Sequence, residues 1–342
     1  MMGRVLQLAA RAAGHTAPNP MVGAVLVQDG QVVGEGWHRG AGHPHAEAEA
    51  LTKAGPRARG ATLYVNLEPC SHHGRTPPCA DALIAAGVSQ VIASMEDPDP
   101  RVRGQGFDRL RAAGIAVSVG VEAERARQLN RWYVTSRTRG RPRVLYKWAQ
   151  TLDGAIATTG GDAHWVSGKE ARREVHRLRA RLDAVVVGIG TVLSDDPRLT
   201  VRHTPGRDPL RVVADRQART PPTARLLPAW VCVGPDAPTD RVRKLEAAGA
   251  RVVTAPTPQD ILATLHRHGC LSVLLEGGPR LAAAFLAAEC VDEVAVAVAP
   301  SLVGGGLSPF AGPGVARMAQ ALSLRDLRVR RLGADLWITG RV

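Results

Sequence analysis

Leu67-Glu-Pro-Cys-Ser-His-His-Gly-Arg-Thr-Pro-Pro-Cys79 joins an apolar, strand-like run at 61–67 to a helix-like run at 79–86 that stops at Gly87. Upstream, His45-Ala46-Glu47 opens another helix-like run at 46–54. Strand, loop, helix is the repeating unit of an α/β layer. The reactive residues sit at its joints. Cys79 stands at one helix start, His45 and Glu47 at the other, and Cys70 just beyond the strand. Helix N-termini favour thiolates and other negative groups through free N–H groups and the dipole. Three donors from two helix starts and one loop can therefore converge on one cation. An imidazole and two thiolates form a set that zinc accepts, the fourth position going to water, whose pKa zinc lowers to about 7. Glu47 is not needed as a ligand and is placed to hold that water and move its protons.

Outward from this stretch the alternation continues. A helix is expected at 5–13, strands at 21–27 and 31–35 around an Asp29-Gly30 hairpin turn, a strand at 89–94, a helix at 107–113 and a strand at 115–119. Arg137-Thr-Arg-Gly-Arg-Pro-Arg143 has no apolar period and reads as an exposed linker. It divides the chain into expected domains at 1–142 and 143–342. The second half restarts with a strand at 144–149, a helix at 170–181 and a buried-type strand at 184–187. Strands follow at 210–214, 230–233 and 271–275, then a helix to 286, a strand at 293–298, and a closing antiparallel pair at 324–330 and 335–339.

Composition sets the class. At 342 residues and 45% hydrophobic content the chain can build two cores. No run of eighteen apolar residues and no signal-peptide layout is present, so a cytoplasmic protein without a membrane span is expected. Five scattered cysteines do not make a disulfide framework; Cys232, Cys270 and Cys290 lie in apolar contexts and read as core. The net charge of +13 raises the question of nucleic acid. Yet lysine occurs only at Lys53, Lys147, Lys169 and Lys244, and aromatic stacking platforms are only 4% of the chain. The arginine excess reads as coding bias, compatible with small anionic substrates.

His-x-Glu followed by two Pro-Cys pairs is the pattern of zinc-dependent nucleobase deaminases, which remove ammonia from a ring amidine by hydrolysis. One departure is plain: eight residues, 71–78, separate the cysteines where the general pattern has two. With that insert, the stretch from Leu67 to Cys79 resembles the deaminase half of the bifunctional riboflavin-biosynthesis deaminase/reductase family. So do Pro18-Asn-Pro-Met-Val-Gly-Ala24 and Asp97-Pro-Asp-Pro100. In the second half the resemblance runs through Lys147-Trp-Ala-Gln-Thr-Leu-Asp-Gly154, His164-Trp-Val-Ser-Gly168, Gly190-Thr-Val-Leu-Ser-Asp-Asp-Pro197 and Glu276-Gly-Gly-Pro279.

The resemblance implies a fold: a cytidine-deaminase-like α/β/α sandwich followed by a dihydrofolate-reductase-like α/β domain. It implies deamination of a diaminopyrimidinone bearing a ribosylamino 5-phosphate, then NADPH-dependent reduction of the ribosyl group to ribityl, in a homodimer or higher oligomer. His45, Cys70 and Cys79 would hold Zn2+, with Glu47 catalytic. Asn19 falls where the family reads the base, and His72, Arg75 and Thr76 where it holds the ribose phosphate. In the second half Ala149, Trp165, Thr191, Asp195 and Gly278 fall on NADPH contacts. Arg179, Leu199, Arg202 and Glu276 fall on substrate contacts, the two arginines as phosphate partners. Lys147 and Asp195 are the polar groups near the reacting carbon. Ala163 stands where the pattern usually has serine. Read without the family, the second half reaches only an α/β domain with weak glycine-loop signals at 188–190 and 276–278, and lacks the full dinucleotide fingerprint. Two rival readings are a nucleic-acid (tRNA) deaminase with an accessory domain, and a deaminase with a degenerate reductase half.

Overall fold

The computed structural model describes residues 1–72 and 77–342. The chain folds as two compact units, Met1–Arg141 and Pro142–Val342.

The first unit runs α1 (Met2–Ala10), β1 (Gly23–Gln28), β2 (Gln31–Trp37), α2 (Ala46–Ala54), β3 (Thr62–Val65), α3 (Cys79–Ala86), β4 (Gln90–Ala93), α4 (Gln105–Ala112), β5 (Ala116–Val119), α5 (Ala123–Leu129) and α6 (Arg131–Arg139). Its sheet has the order β2-β1-β3-β4-β5. The β1–β2 hairpin is antiparallel, and Asp29 and Gly30 both have positive φ, 51° and 77°, as a type I′ turn requires. The β3–β4 and β4–β5 pairs are parallel. On one face Ala46 and Ala50 of α2, Leu83 of α3 and Phe107 and Leu110 of α4 pack with Leu26, Leu63 and Val91. On the other face Met2, Val5 and Leu8 of α1 cover Val25.

Two glycines set how α2 lies. A Cβ on Gly34 would stand 2.2 Å from the Ala50 carbonyl oxygen, and one on Gly36 2.4 Å from that of Ala46. Only glycine lets the helix backbone approach β2 this closely. The N-terminal end of α2, with His45 and Glu47, is thereby fixed on the sheet.

The linker expected at 137–143 is corrected. Arg137 and Arg139 belong to α6, which Gly140 closes with φ 64°, and Arg143 already opens the next strand. Helix α6 buries Tyr133, Thr135 and Ser136, so its inner face is partly polar and shows no apolar period.

The second unit runs β6 (Arg143–Thr151), α7 (Lys169–Arg181), β7 (Ala184–Gly188), α8 (Ile189–Asp195), β8 (Leu210–Ala214), β9 (Trp230–Val233), α9 (Thr239–Ala247), β10 (Arg251–Thr254), α10 (Pro258–Arg267), β11 (Ser272–Glu276), α11 (Pro279–Ala287), β12 (Glu293–Ala299), β13 (Arg325–Leu332) and β14 (Asp335–Arg341). Its nine strands are ordered β10-β9-β8-β7-β11-β6-β12-β14-β13. Pairs from β10 to β12 are parallel; β14 joins β12 and β13 antiparallel, as the closing pair expected from sequence. Val144, Tyr146, Val186, Val273, Leu275 and Phe285 lie in the main core, with Cys232, Cys270 and Cys290 buried among them. The glycine loop at 188–190 is the start of helix α8. Among the described residues no helix is long and apolar enough to cross a membrane.

Candidate functional site

His45 is the residue before α2, held in extended backbone, and Cys79 is the first residue of α3. Cys70 follows β3 and receives the Cys79 backbone N–H at 3.3 Å. His45 Nδ1 lies 3.2 Å from Cys79 Sγ and 3.5 Å from Cys70 Sγ, and all three donor atoms fall within 4.8 Å of one another. Zinc bonded tetrahedrally to nitrogen and sulfur would separate such atoms by about 3.6 Å. The donor set and its spacing fit that ion. The Cys79 thiol donates to Cys70, which, against the opposing effect of burial, brings the Cys70 thiol down to about 4. Cys79 moves up in return, through that hydrogen bond and its burial. The two sulfurs are thus coupled through this hydrogen bond, and a divalent cation between them would favour the thiolate form of both.

Glu47 is 4% exposed and lines the same cavity. Burial, helped by the Cys70 charge, raises its carboxyl to about 7. The cavity measures about 830 Å³ and is also lined by Asn19, His38 and His72. Asn19 sits on a loop pinned by two buried amides. Asn66 accepts from Gly23 N–H and donates to the Met21 carbonyl, while Asn130 exchanges two hydrogen bonds with Met21. Asn19 Nδ2 meets His38 Nε2 at 3.0 Å, and His38 Nδ1 meets the Pro44 carbonyl oxygen at 3.1 Å. A carbonyl accepts only, so Nδ1 carries the proton and Nε2 accepts from the amide. Burial keeps this imidazole neutral by lowering its pKa. The Asn19 carbonyl oxygen and its second N–H remain for a ligand. Arg75 and Thr76, expected at the phosphate, lie outside the described residues.

Further lining comes from Asp97 and Asp99 of the Asp97-Pro-Asp-Pro100 motif, to which no site role was given from sequence, and from Arg101, Tyr133 and Arg137, which were not anticipated. Tyr133 Oη donates to Asp97 at 3.2 Å, and Arg101 forks onto Asp99 at 2.9 and 2.6 Å. Arg137 lies over the Tyr133 ring at 5.0 Å, with its Nε buried and making no hydrogen bond. The signal was available in the Tyr133 to Arg137 spacing, which is i,i+4 on a helix. It was hidden by the charge run that follows.

In the second unit, register brings Lys147 of β6 beside Glu276 of β11. Burial lowers the Lys147 pKa against the Glu276 charge. The Glu276 carboxylate accepts from Arg179 Nε at 2.6 Å and Nη2 at 2.8 Å, and Arg179 Nη1 donates to the Thr200 carbonyl at 3.2 Å. Each Arg179 nitrogen thus makes one bond within the protein, which leaves one N–H on each terminal nitrogen. Arg202 makes no ion pair among the described residues; its backbone N–H donates to His176 Nδ1 at 3.1 Å. A Cβ on Gly277 or Gly278 would come 3.1 or 3.6 Å from Thr191 Oγ1, so the glycine turn after β11 lies against α8. Trp165 and Leu199 have φ of 64° and 55°, a region costly for bulky side chains and concentrated at functional sites. Trp165 is 72% exposed, with Arg172 over its ring at 4.2 Å. Ala149 lies on β6. Asp195 is exposed at the end of α8, accepting from the Ser194 hydroxyl at 2.7 Å. Lys147, Arg179 and Glu276 thus form one half-buried cluster, and Thr191 joins Gly278.

A family model described as the RibD C-terminal domain matches residues 142–338, and one described as the cytidine and deoxycytidylate deaminase zinc-binding region matches residues 1–95. The riboflavin biosynthesis protein RibD of Aquifex aeolicus is 43% identical over 98% of this chain and 96% of its own length. That of Escherichia coli is 41% identical over 98% of this chain and 96% of its own length. Among solved structures, Acinetobacter baumannii RibD, form 1, matches with TM-score 0.93 at 39% identity, covering 99% of this chain and 97% of that one. A diaminohydroxyphosphoribosylaminopyrimidine deaminase/5-amino-6-(5-phosphoribosylamino)uracil reductase from Thermotoga maritima matches with TM-score 0.88 at 36% identity, covering 99% and 97%.

Proposed function

The chain belongs to the RibD family, and from that premise we propose how its residues divide the family's two reactions. It is a bifunctional deaminase and reductase of riboflavin biosynthesis, dependent on zinc and NADPH. One observation carries the assignment of the first step: His45, Cys70 and Cys79 converge beside a buried Glu47 in a cavity sized for a nucleotide.

In the first unit His45, Cys70 and Cys79 would hold zinc, which when bound would acidify a water for attack and stabilise charge at the ring. Asn19, oriented by His38, reads the pyrimidinone edge. Glu47 takes one proton from the attacking water and gives it to the ring nitrogen as the carbon–oxygen bond forms; it then takes the second proton from the new hydroxyl and gives it to the amine as the carbon–nitrogen bond breaks, so that ammonia leaves and a ring carbonyl remains. A carboxyl with a pKa near 7 is suited to both directions of transfer. His72, Arg75 and Thr76 hold the ribose phosphate. The substrate is a small phosphorylated pyrimidine.

In the second unit bound NADPH would supply hydride to the C1 carbon of the ribosylamino group, opened as an imine, and the imine nitrogen would need a proton from the protein. Ala149, Trp165, Thr191, Asp195 and Gly278 bind the cofactor. Leu199, Arg202, Arg179 and Glu276 form the substrate side, with Arg202 the cation for the phosphate. Lys147, whose lowered pKa eases proton release, stands as the proton donor, in preference to the exposed Asp195.

The test is an assay of the two half-reactions separately, with NADPH and NADH, on protein whose metal content is measured. Zinc-dependent deamination and NADPH-selective reduction are expected. Deamination of tRNA, with no turnover of the free nucleotide, would refute the substrate assignment.

A second copy of the chain completes the assembly. Leu302, Val315, Met318, Leu322, Leu327 and Val329 are exposed along the segment that leads into and forms the edge strand β13. An open apolar edge is a pairing surface. Light scattering at micromolar protein should give the mass of a dimer or a higher oligomer. A monomer under those conditions would rule this out.

A further inference from the structure

The segment after α8 that carries Leu199 and Arg202 is neither helix nor strand, yet three successive residues in it are pinned by side chains from elsewhere in the unit or from further along the same loop. Arg179 donates to the Thr200 carbonyl oxygen at 3.2 Å. Asp208 accepts the Val201 N–H at 2.7 Å. His176 accepts the Arg202 N–H at 3.1 Å. Two of the three pins, His176 and Arg179, come from α7, and Glu276 braces Arg179 from β11. The segment does not hold this shape by backbone preference alone, since Leu199 is 2% exposed with φ of 55°.

We propose that His176 is a positioning residue of the reductase: by holding the Arg202 backbone it aims the Arg202 guanidinium at the anionic group of the substrate. This rests on the phosphate role given to Arg202 above. The chemistry of the imidazole agrees with it. To accept an N–H, Nδ1 must be unprotonated, with the ring proton on Nε2. His176 is 5% exposed, and burial, with the positive charges of Arg179 and Arg202 and with His203 edge-on at 4.5 Å, brings it down to about 4; Glu276 is the one opposing charge. The ring is therefore a neutral acceptor at physiological pH. The same geometry divides the two arginines: Arg179, bonded to Glu276 and Thr200, shapes the segment from the substrate side, and Arg202, which makes no ion pair among the described residues, supplies the cation for the phosphate.

The experiment compares His176→Ala, His176→Asn and Arg202→Ala in the full-length protein with zinc and NADPH. Reductase KM for the deaminated nucleotide, KM for NADPH, kcat and deaminase turnover are all measured. His176→Ala should raise KM for the nucleotide by about five- to tenfold, the usual worth of one hydrogen bond. KM for NADPH, kcat and deamination should stay within about twofold of the parent. Asparagine, whose Oδ1 can accept the same N–H, should restore KM to within about twofold. An unchanged nucleotide KM in His176→Ala, an equal rise in both KM values, or a rise that asparagine does not reverse would each overturn the positioning role. Arg202→Ala separates the premise from the inference. It should raise nucleotide KM more than His176→Ala does, and an unchanged value there removes the phosphate role itself.

Discussion

Glu47→Gln protein keeps one zinc per chain and loses deamination by about 10²- to 10⁴-fold, the usual contribution of a positioned acid–base group. The substitution isolates proton transfer from everything else at the site. Glutamine has the shape of glutamate and can still hydrogen-bond to water, but its amide cannot carry a proton between water, ring and leaving amine. The donor atoms of His45, Cys70 and Cys79 are untouched. Folding should not suffer, because Glu47 is 4% exposed and burial opposes its charged form; a neutral amide removes that cost. Metal analysis and half-reaction kinetics check the result. Deamination within tenfold of the parent would show that another group moves the protons. Loss of zinc along with activity would make Glu47 part of the metal site.

Lys147→Met should lower the kcat of reduction by about 10²-fold or more while deamination and NADPH binding persist. Lys147 is half-buried beside Glu276, and its partial desolvation holds its pKa down, so its ammonium gives up a proton more readily than an exposed lysine would. Methionine fills a similar volume without a proton to give. Glu276 would not be left unpaired, because Arg179 already engages both of its oxygens. Single-turnover oxidation of NADPH with the deaminated nucleotide reads the step directly. A kcat within tenfold of the parent would return the proton to Asp195 or to solvent.

The parts of these sites legible in the sequence are those built from local pattern. Helices α2 and α3 begin where His45 and Cys79 announce them, because a ligand at a helix start and an apolar face behind it are neighbours in sequence. The hairpin at Asp29-Gly30 and the terminal antiparallel pair have turn chemistry and alternation within a dozen residues. What escapes depends on distance. Arg179 of α7 and Glu276 of β11 are separated by 97 positions, and no local pattern around either shows that they meet. The Asp97–Tyr133 contact joins residues 36 apart, one on a loop and one on a helix whose end reads as a linker. Helix α10 differs, because its signal is local and lies in its cap rather than in a reactive residue. Thr257 and Asp260 form a reciprocal capping box, with proline at the first helical position.

Strand order in the second unit bears on how the protein is made. Strand β11, from Ser272 to Glu276, sits between β7 and β6, both of which leave the ribosome long before it. Until it inserts, β6 and β7 have no common partner, Lys147 lacks Glu276, and both strands are open edges. The proposed metal ligands, Glu47, Asn19 and Arg137 all lie within the first 141 residues, which form a compact unit of their own. A chain emerging N-terminus first, domain by domain, thus has every residue of the first catalyst available while the second is still waiting for its central strand. The order of synthesis matches the order of the two reactions.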